Sequence, residues 1–143
     1  MTQNLKNLPS HVDNRGLIQA ILEQCNVGSI TCITSEPNTE RANHWHRDPE
    51  GHTILITEGE IWIYEVDINS LELKDHQIKK TVLKVGDIHW TGPNVAHTMF
   101  FPVKNSFYCF SVLPRDPESY EKNTVRIPTS LKSIYDASPY ING

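Results

Sequence analysis

Cysteine is scarce in this chain: Cys25, Cys32 and Cys109 are the three in 143 residues, and no two have CxxC spacing. An odd, scattered set argues against a disulfide framework and against a thiolate metal cluster. Cys32 and Cys109 lie in the apolar runs SITCITS and SFYCFSV, so the cysteines are read as buried thiols. Long apolar runs are missing too. Nothing approaches the ~20 residues that cross a bilayer, and the opening MTQNLKNLPSHVDNRG has neither the charged nor the apolar region of a secretory leader. The expectation is a cytoplasmic protein without a membrane partner. Positive charge is thin: 13 Lys and Arg face 17 Asp and Glu, net −4, and the longest basic run is Lys79-Lys80. Nucleic acid is therefore not an expected partner.

What is present is the composition of a folded globular protein, 38% hydrophobic and 21% charged. The length fits one domain over residues 1–143, with a core at about 13–114 and a tail at 115–143. Apolar, β-branched runs recur between turn signals: GLIQAILE, GSITCITS, HTILIT, EIWIYEVD, KTVLKV, DIHWTG, HTMFF and SFYCFSVL. Such spacing predicts an all-β sandwich or barrel. Glu58-Gly59, Val85-Gly86-Asp87 and Gly92-Pro93-Asn94 supply turn chemistry, which suggests that hairpins join the strands. The polar stretch from Asp67 to Lys80 reads as a solvent-facing excursion. Beyond Pro114 the texture changes, and Thr129 or Ser130 is suited to cap one short helix. This tail could wrap the barrel, cover its mouth or reach a second subunit.

Four of the seven histidines fall in two windows, NHWHRDPEGHTILITEGE and GDIHWTGPNVAH. Side chains two apart on a strand share a face, so His44 and His46 form a two-point chelate while Trp45 points away. Arg47 to Gly51 has loop chemistry, and a hairpin there returns His52 beside the pair. His97 opens another strand after a Gly-Pro-Asn turn. His11 and His76 are expected at the surface. His89 sits opposite in facing to Ile88 and Trp90, with a packed or an acid/base role open.

The order H-x-H, a third ligand, Gly, then Gly86-Asp87 through Gly92-Pro93-Asn94 to His97 resembles the two signature motifs of the cupin superfamily over about Asn43 to His97. The resemblance implies a double-stranded β-helix, the jelly-roll barrel, followed by a short C-terminal helix or extended tail. It also implies one divalent metal ion held by His44, His46, His52 and His97. The family's third ligand is commonly Glu. Counting back from Gly59 selects His52, counting forward from His46 selects Glu50, and His52 is preferred because Glu50 lies between Pro49 and Gly51. An all-imidazole set suits Zn, Fe or Ni, with Cu also allowed.

A second stretch, Asp13-Asn14-Arg15-Gly16 with Arg41-Ala42-Asn43-His44-Trp45-His46, is similar to motifs of cupins that process nucleotide-linked keto-sugars, with Ala42 where that family has Gly. The similarity implies epimerisation or isomerisation by proton removal beside a carbonyl. No counterpart of the tyrosine acid of the non-metal epimerases is identifiable. Arg15 and Arg41 are candidates for an anionic group, Trp45, Trp62 and Tyr64 for a sugar ring, and His89, Glu50, Glu60 and Tyr108 for proton transfer. The alternatives are an iron-dependent dioxygenase of a small metabolite and a non-catalytic module that binds a sugar or another small molecule. A homodimer is implied by the cupin resemblance, with N-terminal strands extending the partner's sheet.

Overall fold

The computed structural model describes residues 10–23, 26–49, 51–70 and 77–139. Three positions named above, Cys25, Glu50 and His76, lie outside the described residues. The strands are β1 (Ser10–Asp13), β2 (Gly16–Gln19), β3 (Ser29–Ser35), β4 (Thr39–His46), β5 (His52–Glu58), β6 (Glu60–Asp67), β7 (Lys79–Lys84), β8 (Ile88–Thr91), β9 (Val95–Phe101), β10 (Asn105–Ser111) and β11 (Thr124–Arg126). The helices are α1 (Pro117–Asn123) and α2 (Leu131–Ala137). No helix among the described residues is long and apolar enough to cross a membrane.

All eight runs read as strands contain one, although only the first half of GLIQAILE is extended. Their connections correct the hairpin expectation. β1 and β2 pair with each other, and the remaining strands form a four-stranded sheet, β3-β10-β5-β8, facing a five-stranded one, β11-β4-β9-β6-β7. Of the strands consecutive in the chain, only β1–β2 and β6–β7 pair among the described residues. From β3 onward the other connections pass between the two facing sheets, because each strand has one apolar face to bury and two facing sheets bury it on both sides.

Inward-facing positions change character along the strands. One layer is apolar: Ile54 and Ile56 of β5, Ile61 and Ile63 of β6, Met99 and Phe101 of β9, and Phe107 and Cys109 of β10, with Leu83. One inward position further on, the same strands carry His52, Glu65, His97 and Ser111. The period-two rule thus stacks a polar layer on an apolar one inside the same barrel. A second apolar cluster lies on the outer face of the five-stranded sheet, where Tyr64, Val66, Ala96 and the fully buried Leu131 of α2 meet.

Helix α2 begins at the N-cap Ser130, whose hydroxyl accepts from the Ser133 N–H, one of the two caps expected. Helix α1 was not anticipated. Its start signal is nonetheless in the sequence: Asp116 caps the first turn, accepting from the Ser119 N–H at 3.0 Å, and Pro117 occupies the first turn. The tail wraps the barrel and also reaches its mouth, since β11 pairs with β4 through Thr124–His46, Val125–Trp45 and Arg126–His44.

Candidate functional site

His44 and His46 project from β4 and His97 from the neighbouring β9, where His44 and His97 are cross-strand partners. Each ring offers a nitrogen, and these ligand atoms lie within 4.8 Å of one another. All three residues are buried.

Their convergence depends on a backbone irregularity. Arg41 and His44 are three residues apart, so a regular strand would turn them to opposite faces. The β4–β9 register slips between Ala42 and His44, and Ala42 and Asn43 both take positive φ, 71° and 54°. This bulge inserts one extra residue, so Arg41 and His44 reach the same cavity. Asn tolerates the left-handed region; Ala pays for its Cβ there.

Hydrogen bonds fix which nitrogens are available. The Thr124 hydroxyl donates to the Tyr120 carbonyl at 2.7 Å, so at 3.4 Å from His46 Nδ1 it can only accept. His46 is thereby the Nδ1–H tautomer with its Nε2 lone pair free. His97 Nδ1–H donates to the Val95 carbonyl at 3.0 Å, with the same result. His44 Nδ1 is buried without a hydrogen-bond partner. Burial, reinforced by the neighbouring imidazoles, pushes the His44 pKa down to about 2 and that of His46 down to about 3. Burial lowers His97 as well. Three neutral imidazoles with free lone pairs and one orphaned buried nitrogen form a donor set that fits a divalent transition metal.

His52 stands apart from that triad. It stacks on His46 with ring centroids 4.1 Å apart, but its Nε2–H donates to Asp48 Oδ2 at 3.2 Å. It also arrives across the barrel on the opposite sheet, not by a hairpin. Burial opposes its charged form, yet the Asp48 hydrogen bond, with help from Cys109 at 3.8 Å, raises its pKa to about 9. Asp48 is buried and takes further bonds from Asn123 Nδ2 and the Gly51 N–H, each at 3.0 Å. Gly51 has φ +73°, and a Cβ there would lie 2.3 Å from the Thr91 carbonyl oxygen, so the loop that places Asp48 requires glycine.

The imidazoles line a cavity of about 520 Å³. Its apolar wall includes Ile33, Ile54, Ile63, Met99 and Phe107, and three guanidinium groups, Arg41, Arg115 and Arg126, border it. Arg41 is steadied by bonds from Nε to Ser35 Oγ and from Nη2 to the Thr34 carbonyl, both 2.9 Å, which leaves other N–H groups free of these contacts. Tyr120 of α1 places its ring 5.9 Å from His46 and 6.2 Å from His44, with Arg115 over its face at 4.7 Å.

Several expected positions lie elsewhere. Trp62 and Tyr64 face the outer cluster, with Lys80 over the Trp62 ring at 4.1 Å, because their strand turns Ile61, Ile63 and Glu65 inward. Trp45 points outward, as alternation requires. Glu60 accepts from Trp62 Nε1 at 2.7 Å on that outer face, and Tyr108 is exposed on β10 between the inward Phe107 and Cys109. Arg15 sits on the β1–β2 hairpin, bonded to Asp13 at 2.7 Å, and does not line the cavity. His89 faces inward and donates to Glu65 Oε1 at 2.8 Å, a packed position in the polar layer. His11 is at the surface, as expected, whereas Cys32 is exposed and not buried. Sequence reasoning missed Asp48, Arg115, Tyr120 and Arg126. The Asp116-Pro117 helix start was the available signal for Tyr120; the other three carry none.

No family model matches the chain, and no curated protein matches it. Solved structures do. The capsular polysaccharide assembling protein CapF from Staphylococcus aureus is 17% identical with a TM-score of 0.61, over 85% of this chain and 33% of that one. The chain therefore spans about a third of CapF. The RmlC epimerase of Mycobacterium tuberculosis is 18% identical with a TM-score of 0.64, over 90% of this chain and 70% of that one. The TDP-quinovose 3,4-ketoisomerase WlaRB from Campylobacter jejuni is 21% identical with a TM-score of 0.62, over 91% and 94%. The fold is a cupin jelly roll. At these identities the likeness concerns the barrel, and the chemistry must be argued from the cavity.

Proposed function

We propose that this chain is a metal-dependent isomerase or epimerase of nucleotide-linked keto-sugars. The observation that carries the reading is the set of three neutral imidazoles in a cavity that also presents Tyr120 and three arginines. Proton removal beside a carbonyl needs an anchor for the anionic diphosphate of the substrate, stabilisation of the developing oxyanion, and a group that moves the proton. Arg41, Arg115 and Arg126 are the anchor, since a guanidinium fork matches a diphosphate. His44, His46 and His97 hold the ion, which when bound supplies Lewis-acid polarisation of a carbonyl oxygen. Tyr120, its ring 5.9 Å from His46 and 6.2 Å from His44, is the proton-transfer group of this reading. The neighbours support the substrate class: RmlC from Legionella pneumophila was solved in complex with dTDP-4-keto-L-rhamnose.

The same reading includes a homodimer. Val12, Leu17 and Ile18 of the β1–β2 hairpin are 73%, 61% and 69% exposed, and burying them against a second copy offsets that exposure. Light scattering on the purified protein is expected to give the mass of two chains.

The test of activity is solvent-deuterium uptake at the carbon beside the keto group of dTDP-linked 4-keto sugars, with protein loaded with Zn, Ni or Fe. Uptake that disappears in His97→Ala is the expected result. Absence of uptake across the panel with every metal overturns the reading. Oxygen consumption by the iron form would favour the dioxygenase, and unchanged sugar bound by metal-free protein would favour a binding module.

A further inference from the structure

The bulge that turns His44 into the cavity is held from outside the barrel. Asn43, the extra residue, is left-handed, and its Oδ1 accepts from the Thr98 hydroxyl at 2.7 Å. The Thr98 oxygen in turn accepts from the backbone N–H of Leu131 at 3.0 Å, at the first turn of α2. The Asn43 carbonyl accepts from the Ile127 N–H at 3.0 Å. Thr98 and Leu131 are both fully buried. A threonine hydroxyl has one proton and can accept as well, so a single side chain serves both neighbours.

A buried threonine on the outer face of β9 could be mere filler, for which valine is the near-isosteric choice. The polar chain argues against that. It joins the residue before His44, the residue after His97, and the helix that covers the sheet. Both imidazoles are thus each one peptide unit from the same hydrogen bond.

We propose that Thr98 and Asn43 are positioning residues for His44, and that docking of α2 on the outer face sets the alignment of the imidazole triad inside. The role of the triad in metal binding rests on the preceding reading; the alignment of His44 does not. Partners that orient ligands without touching the ion typically account for roughly 10–100-fold in metal affinity.

The experiment compares the full chain with T98V, T98S and N43G. Glycine keeps the left-handed backbone while removing the side-chain acceptor, so N43G isolates the hydrogen bond even where T98V folds poorly. Two readouts are taken on each: Zn(II) affinity by calorimetry, and the ring ¹⁵N–¹H signals of His44, His46 and His97 in metal-free protein. T98V and N43G are each expected to bind Zn(II) at least about tenfold more weakly. Both are expected to move the His44 ring signals more than those of His46, and T98S is expected to restore both. The positioning role is overturned if N43G and T98V leave the His44 signals where they are in the parent protein. If the parent binds no Zn(II), the metal reading fails, and the ring signals still decide the positioning role.

Discussion

His46 and His52 are stacked 4.1 Å apart in one cavity, yet their pKa values are driven in opposite directions, to about 3 and about 9. Both are buried. The difference is the neighbour at the far nitrogen: a threonine oxygen that accepts weakly from His46, and the buried carboxylate of Asp48 for His52. A histidine in a barrel is therefore made a neutral lone-pair donor or a cation by its second nitrogen's partner, not by its place in a motif. Residue type and facing alone would have made the two equivalent.

That contrast is broken or sharpened by four measurements. The largest expected effect is on metal binding: His46→Ala should weaken Zn(II) affinity by more than the ~100-fold upper range of an outer-shell change, while His52→Ala should leave it within about tenfold. Equal losses in both variants would place His52 in the ligand set beside His46. Next comes stability. Asp48→Asn removes one member of a buried pair and should cost about 3 kcal/mol in denaturant unfolding, and an unchanged midpoint would show that His52 is neutral in the native protein.

The pH profile carries the same opposition in sign. His52 has a folded pKa of about 9 against 6.5 unfolded, so its contribution is complete below 6.5 and is lost as pH rises through 9. His44 and His46 are depressed to about 2 and 3, so below pH 6.5 the unfolded chain takes up protons that the native state refuses, and stability falls. Metal-free protein is thus expected to be most stable near pH 6.5, and Asp48→Asn should abolish the alkaline fall while sparing the acid one. The smallest effect concerns Ala42, at φ 71°. Ala42→Gly should raise stability by about 1 kcal/mol by relieving the left-handed strain, measured by thermal unfolding, with no loss of Zn(II) affinity.

The eight apolar runs were legible because a strand's alternation is local, and so was the pairing of His44 with His46. The hairpins were not. A Gly-rich turn shows that the chain reverses, but whether the next strand joins its own sheet or the facing one depends on which surfaces remain to be covered. Trp62 and Tyr64 were misplaced for a related reason: alternation names two faces without saying which is inside, and α2, far along the chain, made theirs an interior of its own. Tyr120 lies on a short helix with no buried residue, so no apolar periodicity marked it. The bulge at Ala42-Asn43 was readable only as a departure from a motif.

By itself the sequence determined the all-β class, the barrel family that the histidine spacing resembles, and the residues His44, His46 and His97 that the fold gathers. These follow from period-two facing and turn chemistry, which act over a few residues. Only the tertiary structure decided that His52 belongs to Asp48, that Arg41 shares a cavity with His44, and that the tail supplies Tyr120, Arg115 and Arg126. Each of those outcomes joins groups distant in the chain or depends on a register slip, and hydrogen-bond competition among such groups is settled only once the sheets have closed.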